Sequence, residues 1–80
     1  MFYTYILENP KKRLYIGHTN NTAHRLMQHN TGAVKSTKGK GPWTIVFTKK
    51  FNSKRGAQTY EKYLKSLKSQ KYIREKIIGV

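Results

Sequence analysis

The sequence predicts an α+β domain in which a small three-stranded antiparallel sheet is flanked by helices, in the order β-β-α-β-α-α. Three segments are short runs rich in aromatic and β-branched residues, which are typical of strands. Three others begin at small polar residues and repeat apolar residues every three or four positions, as amphipathic helices do. Because the chain has 80 residues and no internal repeat, we expect one domain over residues 1–80.

The strands are predicted from alternation and from the turns between them. Residues 2–7 alternate along the chain and are rich in aromatic and β-branched types, which favours a strand. Residues 9–12, Asn-Pro-Lys-Lys, are typical of a turn, so residues 14–17 form the second strand of a hairpin. Residues 43–51 have the composition of a third strand.

Each helix is predicted to begin at a short polar residue whose side chain accepts a hydrogen bond from a free backbone N–H. Residues 20–22, Asn-Asn-Thr, begin a helix that runs to about Asn30. Ser53 begins a second helix that runs to about Leu67, and Ser69 begins a short third helix. The predicted inward positions are Ala23, Leu26 and Met27 in the first helix, Ala57, Tyr60, Leu64 and Leu67 in the second, and Tyr72, Ile73 and Ile77 in the third.

Charge is the strongest signal in the composition. The chain has 17 Lys and Arg, three Glu and no Asp, for a net charge of +14. A polyanion relieves the self-repulsion of such an excess, so we expect a nucleic acid, above all DNA, as the partner. A basic domain that associates with the ribosome is the alternative. The apolar runs are far shorter than the ~20 residues that cross a membrane, so we expect a cytoplasmic protein with no membrane association.

A metal-dependent phosphodiesterase needs a carboxylate to bind a hard cation, and this chain has three. Glu8 lies at the predicted hairpin turn, where we expect it to be solvated. Glu75 lies between two basic residues, where an ion pair is expected. Glu61 lies in the middle of the longest predicted helix and is the candidate metal ligand. A simple ion pair with Lys65, four residues later, is the alternative for Glu61.

Polar side chains of the first helix and the hairpin can add to such a site. Arg25 and His29 are four residues apart and share one helix face. Arginine offers a planar fork to phosphate oxygens, and histidine can transfer a proton. Tyr3, Tyr5 and Tyr15 lie in the hairpin, where a phenol can act as a general acid or base if nearby cations lower its pKa. The alternatives are a basic surface pair and half-buried core tyrosines.

Two short motifs carry a resemblance to a known family. Residues 3–5, Tyr-Thr-Tyr, and residues 15–17, Tyr-Ile-Gly, resemble the paired signature of the GIY-YIG nuclease superfamily, the second motif letter for letter. The chain is most similar to the small stand-alone bacterial members, which are related to the nuclease domain of the excision-repair incision subunit. Further residues fall in the family order over nearly the whole chain, namely Thr19, Arg25, His29, the strand that begins at Trp43, and Glu61.

The resemblance implies roles for the matching positions. Tyr5 and Tyr15 correspond to the tyrosines of the two motifs, one of which takes a proton from the attacking water in the family. Arg25 would stabilise charge on the scissile phosphate, and His29 matches a position where some members use histidine in proton transfer. Glu61 would hold a single divalent ion, Mg²⁺ or Mn²⁺.

The second motif also supplies structural residues, Ile16 and Gly17. Gly17 lacks a Cβ and would let the strand approach the site closely. The chain departs from the family at two places. The Gly and Ile of the first motif are Tyr3 and Thr4 here, and no Asn follows Asn52, although many family nucleases carry a late Asn near the metal side of the site.

The sequence therefore predicts a metal-dependent endonuclease that cuts DNA, as in DNA repair, with little sequence specificity of its own. Because no accessory DNA-binding domain is visible, a protein partner would supply targeting. The alternatives are a binding module of the same fold with weak or lost catalysis, and an RNA or ribosome accessory protein. Phosphate contacts, or simply a solvated basic face, are predicted for Lys35, Lys38, Lys40, Lys62 and Lys65.

Overall fold

The computed structural model describes residues 1–79 and has the predicted order of strands and helices. The elements are β1 (Phe2–Glu8), β2 (Leu14–Thr19), α1 (Thr22–Asn30), β3 (Thr44–Phe51), α2 (Lys54–Ser66) and α3 (Gln70–Tyr72). Helix α3 continues as a π-helix over Ile73–Ile78, and a 3₁₀ turn, Lys35–Thr37, lies in the loop before β3. The predicted α+β class is confirmed. The single domain predicted over residues 1–80 extends to Val80, outside the described residues, and stays a prediction.

The sheet is antiparallel and has the order β2-β1-β3, so β1 is the central strand. Residues 4–7 of β1 are buried on both faces of the sheet, under α1 on one side and under α2 and α3 on the other. Tyr5 pairs with Gly17 and Leu7 pairs with Tyr15, so these four positions share one face. We call this the α1 face, and the opposite side the α2 face.

Helix α1 buries a different face from the predicted one. Leu26 packs inward as predicted, but Ala23 and Met27 are exposed, Met27 over 54% of its surface. The buried residue of α1 is His29. A helical face centred between Leu26 and His29 turns Ala23 and Met27 away from the sheet. An apolar pattern could not predict this orientation, because the innermost side chain of the helix is polar.

The α2 face holds a second apolar cluster, built from Ile6, Leu64 and Ile73. The predicted stripe of α2 is confirmed, because Ala57 and Leu64 are fully buried and the other two members are half-buried. The buried Thr4 hydroxyl donates a hydrogen bond to the Ala57 carbonyl at 2.7 Å. This bond joins α2 directly to the central strand and fixes the height of α2 along it.

The three predicted helix starts are confirmed by their N-cap hydrogen bonds. The side chains of Asn21, Ser53 and Ser69 each accept from the backbone N–H three residues later, at 3.0 to 3.1 Å. Each bond satisfies one of the N–H groups that a helix start leaves without a partner. No helix within residues 1–79 is long and apolar enough to cross a membrane.

The prediction for the last helix is wrong at one position. Ile73 and Ile77 pack against the α2-face cluster as predicted, but Tyr72 is 42% exposed. Consecutive residues of a helix lie more than a quarter of a turn apart, so a helix that turns Ile73 towards the cluster leaves Tyr72 outside. The wider turn of the π-helix that follows brings Ile77 and Ile78 to the same side as Ile73.

Candidate active site

The site begins with a close contact between β1 and β2. Tyr5 is 2% exposed, and its ring lies across Gly17, its partner in the hairpin. A Cβ placed on Gly17 would lie 2.5 Å from the Tyr5 hydroxyl oxygen and 2.7 Å from its Cζ. Any side chain at position 17 would therefore displace the Tyr5 ring.

The hydroxyl of Tyr5 is the first member of a buried chain of hydrogen bonds. It lies 2.8 Å from His29 Nε2, and His29 Nδ1 lies 2.8 Å from the Thr37 hydroxyl. Thr37 donates its single proton to the Val34 carbonyl at 3.3 Å. Thr37 must then accept from Nδ1–H, so Nε2 carries the lone pair that accepts from Tyr5. This assignment of the His29 tautomer follows from the network.

Burial keeps the side chains of Tyr5 and His29 neutral. It lowers the pKa of His29 below its usual value, and the positive charge of Arg25 lowers it further. Burial also raises the pKa of Tyr5, although the positive charge of nearby Arg25 opposes that rise. At neutral pH, Tyr5 therefore holds its proton, and neutral His29 accepts the Tyr5 hydrogen bond at Nε2.

Tyr15 packs beside this chain of hydrogen bonds and has a free hydroxyl. Its ring meets the rings of His29 and Trp43 edge to face, at centroid distances of 4.9 Å and 6.3 Å. The residue is half-buried and lines two adjacent depressions in the surface. Its hydroxyl makes no hydrogen bond to any residue in the range 1–79 and is not among the buried unpartnered atoms. It is therefore open to water.

Arg25 is held beside the Tyr5 hydroxyl by its own helix. One terminal nitrogen, Nη1, donates to Gln28 Oε1 at 3.1 Å. The Nε atom is buried, and within the described part of the chain it has no hydrogen-bond partner. A buried donor without a partner costs free energy, so this guanidinium is not satisfied by the protein alone.

Glu61 extends from α2, and each of its carboxylate oxygens forms a hydrogen bond with one side chain. Oε1 lies 2.5 Å from His18 Nδ1, and Oε2 lies 2.6 Å from Lys65 Nζ. Burial acts to raise the pKa of Glu61, but the hydrogen bonds from Lys65 and His18 outweigh it and the pKa is lowered. The carboxylate, whose side chain is 16% exposed, is therefore ionised at neutral pH. The predicted ion pair with Lys65 is present.

Comparison of the sequence with models of known protein families identifies the family of this chain. The family model described as the GIY-YIG catalytic domain matches residues 1–73. This chain belongs to the GIY-YIG family. The resemblance carried by the two tyrosine motifs is thereby confirmed, and membership supports a nuclease-like function and binding of nucleic acid.

Individual relatives agree with this assignment. A UPF0213 protein of Oceanobacillus iheyensis is 44% identical over 66 residues, which cover 81% of this chain and 77% of the relative. A UPF0213 protein of Clostridium perfringens is 44% identical over 68 residues, covering 84% and 73%. The solution NMR structure of UPF0213 protein BH0048 from Bacillus halodurans has a TM-score of 0.57 and 36% identity, covering 92% of this chain and 81% of that one. These names state no activity and no metal.

Of the GIY-YIG positions predicted from the sequence, Tyr15, Arg25 and His29 lie around Tyr5, whereas Glu61 lies on the α2 side, paired with His18. Tyr15 and His29 lie on the same face of the sheet, Arg25 lies beside the hydroxyl, and the charge of Glu61 acts to raise the pKa of Tyr5. Ile16 points the other way, into the α2-face cluster, and has no contact with the polar group. Their catalytic roles stay predictions.

The predicted lysine contacts fall into two groups, and every one of these side chains is exposed. Lys35, Lys38 and Lys40 lie in the loop after α1, whereas Lys62 lies on α2. Lys65 is already paired with Glu61, so its charge is partly committed. Phosphate binding by these lysines is still a prediction.

The other two carboxylates depart from their predicted surroundings. Glu8 is only partly solvated, because Arg74 extends from the last helix and donates to it and to the Lys12 carbonyl. With Arg74 engaged there, Glu75 is exposed and makes no ion pair with a described residue. Of the three glutamates, Glu61 is the one whose charge acts on Tyr5, and its role as metal ligand stays a prediction.

Two site residues were missed by the sequence reasoning. His18 directly follows the second motif, and the alternation of β2 turns it towards α2, where it meets Glu61. That alternation, combined with the helix at 54–66, was the signal that could have found it. Thr37 lies in a loop without any periodic pattern, so only the folded chain brings it to His29.

Glu61 is the residue that could hold a divalent cation. No group of three or more metal-binding side chains exists among residues 1–79. One carboxylate is enough for Mg²⁺, which keeps several waters and is bound through one or two carboxylates together with substrate phosphates. Lys65 is 53% exposed and is free to leave the carboxylate. The residues present therefore fit a single ion.

Replacing Gly17 tests the contact on which the site depends. Gly17→Ala should lower the free energy of unfolding by about 2 kcal/mol, because the added methyl overlaps the Tyr5 hydroxyl. In a Tyr5→Phe background the same change should cost less, since the nearest atom is removed. Urea unfolding followed by the single Trp measures all four proteins. Additive effects of the two changes would contradict the contact.

The pH dependence of stability tests the buried His29. The pKa of His29 is lower in the folded chain than in the unfolded chain. Between these two pKa values, the unfolded chain therefore binds more protons than the folded chain. The stabilisation that depends on neutral His29 should be fully present above pH ~6.5 and should be lost progressively as the pH falls below that value. Urea unfolding between pH 5 and 8 should show this loss in the wild type and in His24→Gln, an exposed control on the same helix. Equal slopes in His29→Gln and wild type would refute a neutral His29.

Proposed function

We propose that this protein is a divalent-metal-dependent endonuclease that hydrolyses phosphodiester bonds of DNA with little sequence specificity of its own. One observation carries the proposal: a tyrosine hydroxyl bonded to a neutral histidine acceptor, with an arginine beside it and an ionised carboxylate within electrostatic reach. A domain that only bound phosphates through its +14 charge would not need this arrangement.

Arg25 would bind the scissile phosphate. Its guanidinium is a planar fork that matches phosphate oxygens, and its Nε lacks a partner in the described part of the chain. Charge that develops on the phosphate in the transition state would be stabilised by this donor, which is already in position. The exposed lysines of the loop and of α2 would contact neighbouring phosphates and position the strand without reading its sequence.

Tyr15, Tyr5 and His29 would handle the attacking water. The free hydroxyl of Tyr15 would orient the water by a hydrogen bond. As Tyr5 accepts a proton at its oxygen, it would donate its own proton to His29 Nε2, 2.8 Å away. This transfer requires the neutral form of His29, which burial favours.

Glu61 would hold the metal ion, with His18 fixing the orientation of the carboxylate through Oε1. When bound, Mg²⁺ or Mn²⁺ would supply positive charge that stabilises the leaving oxygen. Lys65 would release Oε2 and become available to a phosphate. We place this activity in the cytoplasm, in a process such as DNA repair, with targeting from a protein partner.

A second candidate function is a nucleic-acid-binding module with weak or lost catalysis. The observation that favours it is the occupation of both Glu61 oxygens by His18 and Lys65. Both partners occupy carboxylate oxygens that a metal ion would need, and a pair that stays closed would leave only electrostatic binding of nucleic acid.

A cleavage assay with matched carboxylate variants separates the two candidates. With Mg²⁺ or Mn²⁺, the wild type should cut labelled DNA, and Glu61→Gln should lose at least about a hundredfold in rate, as should Arg25→Lys. Glu75→Gln removes an exposed carboxylate outside the site and should cut like wild type. Gels of single-stranded, duplex and branched DNA measure the rates.

Two outcomes of this assay contradict the proposal. Equal rates for Glu61→Gln and the wild type would remove Glu61 from the site. Salt-sensitive binding by the wild type without metal-dependent cleavage of any substrate would favour the binding module.

A further inference from the structure

A second surface on α2 is built from aromatic rings. The ring of Tyr60 lies 5.6 Å from that of Phe51, at the end of β3, and 5.7 Å from that of Tyr63, measured between ring centroids. The outermost ring is that of Tyr63, which is 46% exposed. We call Phe51, Tyr60 and Tyr63 the aromatic ledge. Together they line an open depression of about 530 Å³.

The ledge is separate from the candidate active site. Tyr60 contacts β3, which forms one edge of the sheet, through Phe47 and Phe51. Glu61, the next residue of α2, contacts His18 of β2, which forms the opposite edge. Helix α2 therefore presents the candidate metal ligand on one flank and the ledge on the other.

The surroundings of the ledge are positively charged. Lys49 Nζ lies 5.4 Å from the centre of the Tyr60 ring, in cation–π contact, and Arg55 lines the same depression. Lys62 is exposed on the adjacent part of α2. No carboxylate lines this depression in the described part of the chain. An anionic ligand with a flat, apolar portion is complementary to such a surface.

We propose that the aromatic ledge binds unpaired bases of single-stranded nucleic acid, with a base stacked on Tyr63 and the flanking phosphates on Arg55 and Lys49. Exposed aromatic rings between cations are how proteins bind single strands without reading their sequence, because every base has a face that can stack. A duplex keeps its base faces covered by its own stacking, so the ledge distinguishes single strands from duplexes. The proposal concerns binding and does not require that the protein cut its ligand.

A protein partner is less consistent with the same surface. The ledge has three rings, only one of them strongly exposed, and its rim is cationic. Lys49 and Lys50 also lie exposed on the adjoining edge strand, where lysines discourage pairing with another strand. A second copy of the chain carries the same positive charge and would be repelled.

The test compares two exposed tyrosines. Binding of labelled oligothymidylate is measured by fluorescence anisotropy in EDTA, so that cleavage cannot interfere and the result is independent of the proposed endonuclease activity. Tyr63→Leu should weaken binding about tenfold, the loss expected for one stacked base, whereas Tyr63→Phe should bind like wild type. Tyr72→Leu replaces a tyrosine of similar exposure outside the ledge and should leave binding unchanged.

Charge and strandedness supply two further measurements. Arg55→Gln should weaken binding and make its dependence on salt concentration less steep, because one phosphate contact is lost. Tyr63→Leu should leave binding of a blunt duplex within about twofold of wild type. Far-UV circular dichroism of each variant checks that the fold is retained.

Three results would overturn the proposal. The first is an equal effect of Tyr63→Leu and Tyr72→Leu on single-strand binding. The second is an equal loss of duplex and single-strand binding in Tyr63→Leu, which would assign the residue to backbone contact. The third is self-association of the wild type that Tyr63→Leu abolishes in sedimentation experiments, which would make the ledge an interface between copies of the chain.

Discussion

The candidate site depends on one steric constraint, the contact of the Tyr5 ring with the backbone of Gly17. Because Gly17 has no side chain, the Tyr5 ring can lie across the hairpin, and its hydroxyl points towards α1. There it meets His29, whose ring is fixed at its other nitrogen by Thr37. A buried polar side chain is tolerated in such a small core because its ring nitrogens have hydrogen-bond partners. The loop after α1 is thus tied to the hairpin through one histidine.

The second constraint is electrostatic, because the chain has few acidic residues. Of the three glutamates, Glu8 is paired with Arg74 and Glu75 is exposed, whereas Glu61 is held by His18 and Lys65 and acts on Tyr5 through its charge. Two partners keep Glu61 ionised, and the same partners are what a metal ion must compete with. Helix α2 carries this group on one flank and the aromatic ledge on the other. A strand bound across α2 would contact both, which would join the proposed recognition of unpaired bases to the proposed site of cleavage.

Sequence reasoning succeeded where a local rule has one dominant physical cause. The three N-caps and the stripe of α2 were predicted because free backbone N–H groups and apolar periodicity act within a few residues. It failed at Ala23, Met27 and Tyr72. In α1 a hydrogen-bonded histidine took the inward position that the apolar pattern assigned elsewhere, and in the last helix the face of Ile73 and Ile77 took the inward position and left Tyr72 outside.

The sequence by itself determined the order of the elements, the net charge, the paired motifs and hence the family, since all of these lie in residue identity and spacing. Only the tertiary structure decided the partners of each site residue. The hydrogen bond of His29 with Tyr5, the pairing of Glu61 with His18, and the contact of Tyr60 with Phe51 and Phe47 join different elements of the fold. Such contacts depend on the register of the sheet and the placement of α2 upon it, and no short window of sequence carries that information.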